Sequence, residues 1–248
     1  MTKSSWLMAV LVALGGVSGA SAEPTSLSET LASSDRAAED RARDPGRKPV
    51  EVVAFLGIEP GMTAIDLIAA GGYYTEVLSA AVGPTGKVYA QNSEYVLKMR
   101  DGANEKAITA RLAGGRLSNV ERLDREMSDL DLAPASVDAA VTALNFHDIY
   151  NSRGEEAAGK FLQAVYRILK PGGVLGLIDH AGNPDGDNTE LHRIEEARVD
   201  AAVQSAGFQI EAKSDVLRNS EDNRTKGVFT PGLRGKTDRF VLRLRKPK

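Results

Sequence analysis

The sequence predicts an α/β fold: a doubly wound, mainly parallel sheet with helices on both faces. Three observations carry that expectation. Short apolar runs alternate with segments of helical spacing, Gly/Pro turns join them tightly, and the runs are continuously apolar, as strands buried on both faces are. A ligand in such a sheet sits at the carboxyl ends of the strands, so the residues just after each strand are the ones to question.

Taken in order, residues 23–34 are small and polar and read as a flexible lead-in. A charged helix is expected over Asp35–Arg43, stopped by Asp44-Pro45-Gly46, and another over Pro49–Leu56, where the prolyl nitrogen falls in the first turn and its missing N–H costs nothing. Strand Thr63–Ile68, helix Tyr74–Val82, strand Lys87–Ala90 and a helix starting over Glu94–Arg100 follow. Val120–Leu123 is a weak strand and Val137–Leu144 a strong one. Ala158, Phe161, Leu162, Val165 and Ile168 recur at helical spacing and define a helix over Glu155–Leu169. Pro171-Gly172-Gly173 turns the chain into strand Val174–Ile178, helix Thr189–Ala206 comes next, and strands near Phe208–Ala212 and Arg239–Arg245 finish. The polar connection Leu217–Thr237 is long for a structureless loop and is expected to shape a substrate pocket.

The first 22 residues have the layout of a secretory signal, with Lys3 as the positive region, Trp6–Leu14 as the apolar core and Ala20-Ser21-Ala22 as the cleavage site. That core is too short for a comfortable permanent span, and no long apolar segment follows it. The expected organisation is signal peptide 1–22, lead-in and helices 23–60, and one domain 61–248, placed in the periplasm or outside the cell. The 31 basic and 34 acidic residues offer no polyelectrolyte face, which argues against nucleic acid as a partner. Zero cysteines removes disulfides, thiolate metal sites and a cysteine nucleophile together.

The stretch "AIDLIAAGGYYTEV" ends a strand, carries one acid before its break at Gly71-Gly72, and resumes as a helix. Glycines there let the backbone approach a ligand while the helix N-terminus supplies N–H groups and the positive dipole end. The same glycines would also serve close helix packing. Asp66 is harder to dismiss, because a carboxylate at the end of a buried strand needs a partner.

With "NFHDIY", "YRILKPGGVLGLIDH" and "RGKTDRFVLRLRK", that stretch resembles the class I S-adenosylmethionine-dependent methyltransferases, and more closely a predicted secreted group within them. The resemblance runs from Gly61 to Lys246 and implies a seven-stranded sheet whose last strand is antiparallel and inserted beside the fifth. It also implies that Asp66, Ala70, Gly71 and Gly72 hold the amino-acid end of S-adenosylmethionine. Gln91 or Asn92 stands where the family's ribose-binding acid would be, and Glu126 and Met127 fall near the adenine, with Ser128 and Asp129 as alternatives. An amide lacks the charge that strengthens a carboxylate's hydrogen bonds, so weaker or altered cofactor binding is expected.

His147-Asp148 and Asp179-His180 fall at the tips of neighbouring strands. Three readings are open: His147 as general base oriented by Asp148 or Asp179, a divalent cation on Asp148, Asp179 and His180, or plain capping and loop hydrogen bonding. His192 reads as a surface residue in mid-helix, Tyr73 and Tyr74 as cover or packing for the glycine turn, and Arg41, Arg43, Arg47 and Lys48 as a lid over an anion or a solvated face. The expected function is methyl transfer from S-adenosylmethionine to an O or N nucleophile on a small molecule, with no metal assigned. The alternatives are a periplasmic methyltransferase-like binding protein without catalysis, which the cytoplasmic origin of that cofactor favours, and a metal-dependent hydrolase on the same sheet.

Overall fold

The computed structural model describes residue 1 and residues 26–248. Apart from Met1, the expected signal segment, with Trp6, lies outside the described residues. Seven strands, β1 Thr63–Leu67, β2 Lys87–Asn92, β3 Val120–Asp124, β4 Val137–Ala143, β5 Leu169–His180, β6 Gln209–Ser214 and β7 Arg239–Arg245, form one sheet in the order β3-β2-β1-β4-β5-β7-β6. β1 to β5 are parallel, and β7 lies antiparallel between β5 and β6. The order reverses between β1 and β4, where Leu67 stands opposite Thr142, and the crevice beyond that point is the expected ligand position.

Among the described residues seven α-helices cover the sheet: α1 Leu27–Ala32, α2 Ala38–Arg47, α3 Pro49–Leu56, α4 Tyr73–Val82, α5 Glu94–Leu112, α6 Phe146–Ile168 and α7 Glu196–Ser205. On one face Phe161, Leu162 and Val165 of α6 and Val199 and Val203 of α7 pack on Ile65, Leu67, Leu175 and Leu177. On the other, Val52, Val53 and Leu56 of α3 and Val77, Leu78 and Val82 of α4 pack on Ala64, Val141 and Ile178. Gly176 makes room for α3, since a Cβ there would lie 2.4 Å from Leu56 Cδ1.

Several boundaries differ from expectation for physical reasons. The lead-in contains α1, because Ser26 and Glu29 form a capping box in which each side chain accepts from the other's backbone N–H. α6 begins at Phe146, so His147 and Asp148 lie in a helical first turn, and only Gly154 (φ 85°) interrupts the helix before Glu155. β5 extends from the expected Val174–Ile178 to Leu169–His180. The helix expected from Thr189 starts at Glu196, because Ile194 pairs with Ala181 as an isolated bridge and the fully buried Arg193 donates to the Ala181 carbonyl at 3.0 Å. The long connection is anchored by the same arginine, whose guanidinium meets buried Asp222 at 2.9 Å. Among the described residues no helix is long and apolar enough to cross a membrane.

Candidate functional site

The end of β1 leads into a left-handed staircase. Ile68 (φ 56°), Ala70 (φ 50°) and Gly72 (φ 82°) all have positive φ, at alternate positions. Such backbone costs an L-residue about 1–2 kcal/mol, and a β-branched residue there is a true outlier. Two buried amides hold it in place. Gln91 Oε1 accepts from the Ile68 N–H at 2.9 Å, while Asn92 takes the Ala70 N–H on Oδ1 at 2.8 Å and donates from Nδ2 to the Ala70 carbonyl at 3.2 Å.

Asn92 is therefore closed onto the loop, with no exposed surface and both amide atoms engaged, which corrects the ribose role expected for it. Gly71 and Gly72 serve packing as well as approach. A Cβ on Gly71 would come 3.0 Å from Ala107, and one on Gly72 would come 2.6 Å from Ile108 Cδ1, both in α5.

Asp66 lies beneath the staircase and accepts from the Thr75 hydroxyl at 2.7 Å. Burial raises its pKa to about 7 against the opposing pull of that hydrogen bond. Asp66, residues 68–71, Tyr73 and Tyr74 line a cavity of about 210 Å³ together with Ala143, Leu144 and Asn145 from beyond β4, and with Arg43 and Arg47 from α2. The basic set thus divides. Arg43 and Arg47 stack on Tyr73, with guanidinium carbons 4.9 and 4.4 Å from the ring centre, whereas Arg41 donates to the Ser33 carbonyl and Lys48 is exposed. Tyr73 is fixed from below, its hydroxyl donating to Asp44 at 2.5 Å. Glu126 is exposed and Met127 half-buried, and neither borders this cavity.

Two residues past Asn145 a second assembly begins. Asp179 is fully buried and accepts from the His147 N–H at 2.8 Å, from His147 Nδ1 at 2.7 Å and from the His180 N–H at 2.8 Å. His147 Nε2 faces Asp148 Oδ1 at 3.3 Å, and the same oxygen meets His192 Nδ1 at 2.9 Å. The result is an alternating chain, Asp179–His147–Asp148–His192, that runs from the interior to solvent. Burial opposes charge on His147, but Asp179 and Asp148 outweigh it and raise its pKa to about 10.

With each ring nitrogen facing a carboxylate, His147 presents no free nitrogen to an acceptor, against the base role expected of it. His180 turns away from the chain toward the Thr237 hydroxyl at 2.8 Å, and burial lowers its pKa to about 3. The cation set Asp148, Asp179 and His180 is accordingly not assembled, since Asp179 is spent on its three donors and His180 on Thr237.

His192 is at the surface as expected, but its contact with Asp148 is not marked in the sequence. It sits in a turn with φ 53° rather than in a helix, its side chain is 41% exposed, and Phe229 stacks edge-on to it at 5.0 Å. No local pattern marks it, because residues 44 positions apart create its contact with Asp148.

A family model described as a methyltransferase domain matches residues 66–177. Over that segment the chain is similar to methyltransferase domains, and its sheet has the order of their fold. The ubiquinone/menaquinone biosynthesis C-methyltransferase UbiE of Escherichia coli O1:K1 / APEC is 30% identical over 124 residues, which is 50% of this chain and 44% of that protein. The chain thus spans less than half the length of the curated relatives it matches. A SAM dependent methyltransferase from Aquifex aeolicus superposes with a TM-score of 0.60 at 24% identity, covering 83% of this chain and 95% of that one. A possible exported protein from Bordetella parapertussis gives a TM-score of 0.54 at 14% identity, covering 84% and 68%. These structural likenesses show the shared fold.

The fold and the matching family model imply S-adenosylmethionine as the methyl donor. The chain's residues fit one half of that molecule. Asp66 is a buried carboxylate without a cationic hydrogen-bond partner, and Arg47 is a half-buried cation whose pKa burial lowers. Both line the same cavity, which suits an ammonium and a carboxylate respectively. At the ribose end, Gln91 and Asn92 are committed to the loop.

Proposed function

We propose that this protein is an exported S-adenosylmethionine-dependent methyltransferase acting on an O or N nucleophile of a small molecule. The observation that carries the reading is the cavity between the β1 and β4 ends, where Asp66, the positive-φ staircase and Arg47 converge at the switch in strand order. S-adenosylmethionine bound there supplies an electrophilic sulfonium methyl group. Asp66 and Arg47 would hold its amino-acid end, and Tyr73 and Tyr74 form one wall.

An acceptor O–H or N–H loses its proton as the new bond forms. His192 suits that task better than His147. Its Nδ1 is oriented by Asp148, it is partly exposed, and its Nε2 makes no hydrogen bond among the described residues. The curated relative is named for carbon methylation, and this carboxylate–imidazole chain is what supports an O or N acceptor here. Export is supported by the signal-like layout of residues 1–22. It predicts a mature chain starting at Glu23 and lacking tryptophan emission, because Trp6 is the single tryptophan.

Calorimetric titration with S-adenosylmethionine and S-adenosylhomocysteine tests the donor. One site per chain is expected, weakened at least about tenfold in Arg47→Ala, the size of one lost charge-assisted contact. No heat and no thermal shift at millimolar ligand would refute it. A second reading, a methyltransferase-like binding protein without transfer, is favoured by the closure of Asn92 and Gln91 onto the loop. Ligand binding without methyl transfer to any of a panel of alcohols, phenols and amines would select it.

A further inference from the structure

The donor cavity leaves the outer end of the carboxylate–imidazole chain unexplained. His147 Nε2, a carboxylate oxygen of Asp148 and His192 Nδ1 all lie within 4.8 Å of one another. Two of the separations, 3.3 Å from Asp148 Oδ1 to His147 Nε2 and 2.9 Å to His192 Nδ1, are close to what a tetrahedral ion requires. Ligand bonds of about 2.0–2.1 Å place neighbouring donor atoms roughly 3.3 Å apart. Two imidazoles and one carboxylate, with no thiolate, suit a divalent transition ion that keeps a coordination position open.

The surroundings support the same reading. A metal-bound imidazole ordinarily gives its other nitrogen to a carboxylate, which fixes ring and tautomer. Asp179 does this for His147 at 2.7 Å and also accepts the His147 backbone N–H, so the ring is set by a fully buried group. His192, which meets Asp148, has a left-handed backbone, a conformation that clusters at functional sites. Phe229 packs edge-on against its ring at 5.0 Å. The side chains of Asp148 and His192 are 54% and 41% exposed, which leaves an entry path and room for a further ligand.

We propose that His147 Nε2, Asp148 and His192 Nδ1 bind one divalent transition-metal ion of the zinc class, with Asp179 as the carboxylate that orients His147. The open position takes water or an oxygen of the small-molecule substrate. With the ion bound, His192 is a ligand and no longer the base described above; the ion would instead lower the pKa of the bound oxygen, whose proton would pass to bulk water. Use of the ion in methyl transfer rests on the function proposed above; binding of the ion does not.

The test is metal binding by the untagged full chain, freed of metal with a chelator and then titrated with Zn²⁺ in a calorimeter, with metal content measured after dialysis. One equivalent per chain is expected. His192→Ala and Asp148→Asn should each lose at least about a hundredfold in affinity, and Asp179→Asn about 10–100-fold through the neighbouring shell. Co²⁺ gives a second readout, a visible d–d absorption that His192→Ala abolishes while circular dichroism and melting confirm a folded chain. His192 is partly exposed, so its loss leaves the core intact. Failure of the wild type to retain zinc, or wild-type affinity in His192→Ala, would overturn the proposal. Neither readout depends on S-adenosylmethionine, so zinc binding without donor binding would refute the methyltransferase reading alone.

Discussion

Replacing Asp66 with asparagine isolates the cost of holding a carboxyl group under the β1 loop. Asp66 is 3% exposed, and burial raises its pKa from 3.8 to about 7, with the Thr75 hydrogen bond opposing. Between those values the folded chain keeps a proton that the unfolded chain has released, so stability falls as pH rises and levels off above about pH 7. At 1.36 kcal/mol per pKa unit the full penalty approaches roughly 4 kcal/mol. Asparagine keeps an acceptor oxygen for Thr75 and does not titrate. Asp66→Asn is therefore expected to match the wild type near about pH 4 and to exceed it by up to roughly 4 kcal/mol near about pH 8. Urea unfolding of both proteins across that range measures the difference. A gap that stays constant with pH would refute the argument, because only a titrating buried carboxyl opens it. The same variant should bind S-adenosylmethionine less tightly, exchanging affinity for stability as residues at functional sites do.

Other substitutions probe the loop and its supports. Ala70→Gly relieves a left-handed alanine and should raise stability by about 0.5–1 kcal/mol in denaturant melts, after the entropic cost of glycine is subtracted. Gly72→Ala should lower it by about 1–3 kcal/mol, through both its positive φ and a Cβ pressed against Ile108. Arg193→Met strands buried Asp222 and should cost about 3–5 kcal/mol. Limited proteolysis within residues 218–237 should accelerate with it, as the connection loses its anchor.

The sheet was legible because each strand is a short apolar run between Gly/Pro turns, a pattern set by local chain chemistry. Asp66 was legible for the same reason, being one acid in a buried run. What was hidden depends on distant partners. Asn92 could be placed at the end of β2, but its choice of Ala70 over a ribose follows from a hydrogen-bond geometry that spacing does not encode. Arg47 lies in a charged helix that looks solvated, and only the fold brings it over Tyr73. His192 was assigned to a helix because its neighbours favour one, and the pairing of Ile194 with Ala181 overrides that local preference.

The paired amides after β2 also constrain what this chain can become. The positive-φ residues 68 and 70 are not glycines and are tethered by amides from the neighbouring strand, so the turn and the two amides form a single lock. Placing an aspartate at position 92 alone would set a negative charge against the Ala70 carbonyl and discard the donor that steadies it. A redesign seeking a stronger grip on the nucleoside has to restore flexibility in the turn first, and only then the carboxylate.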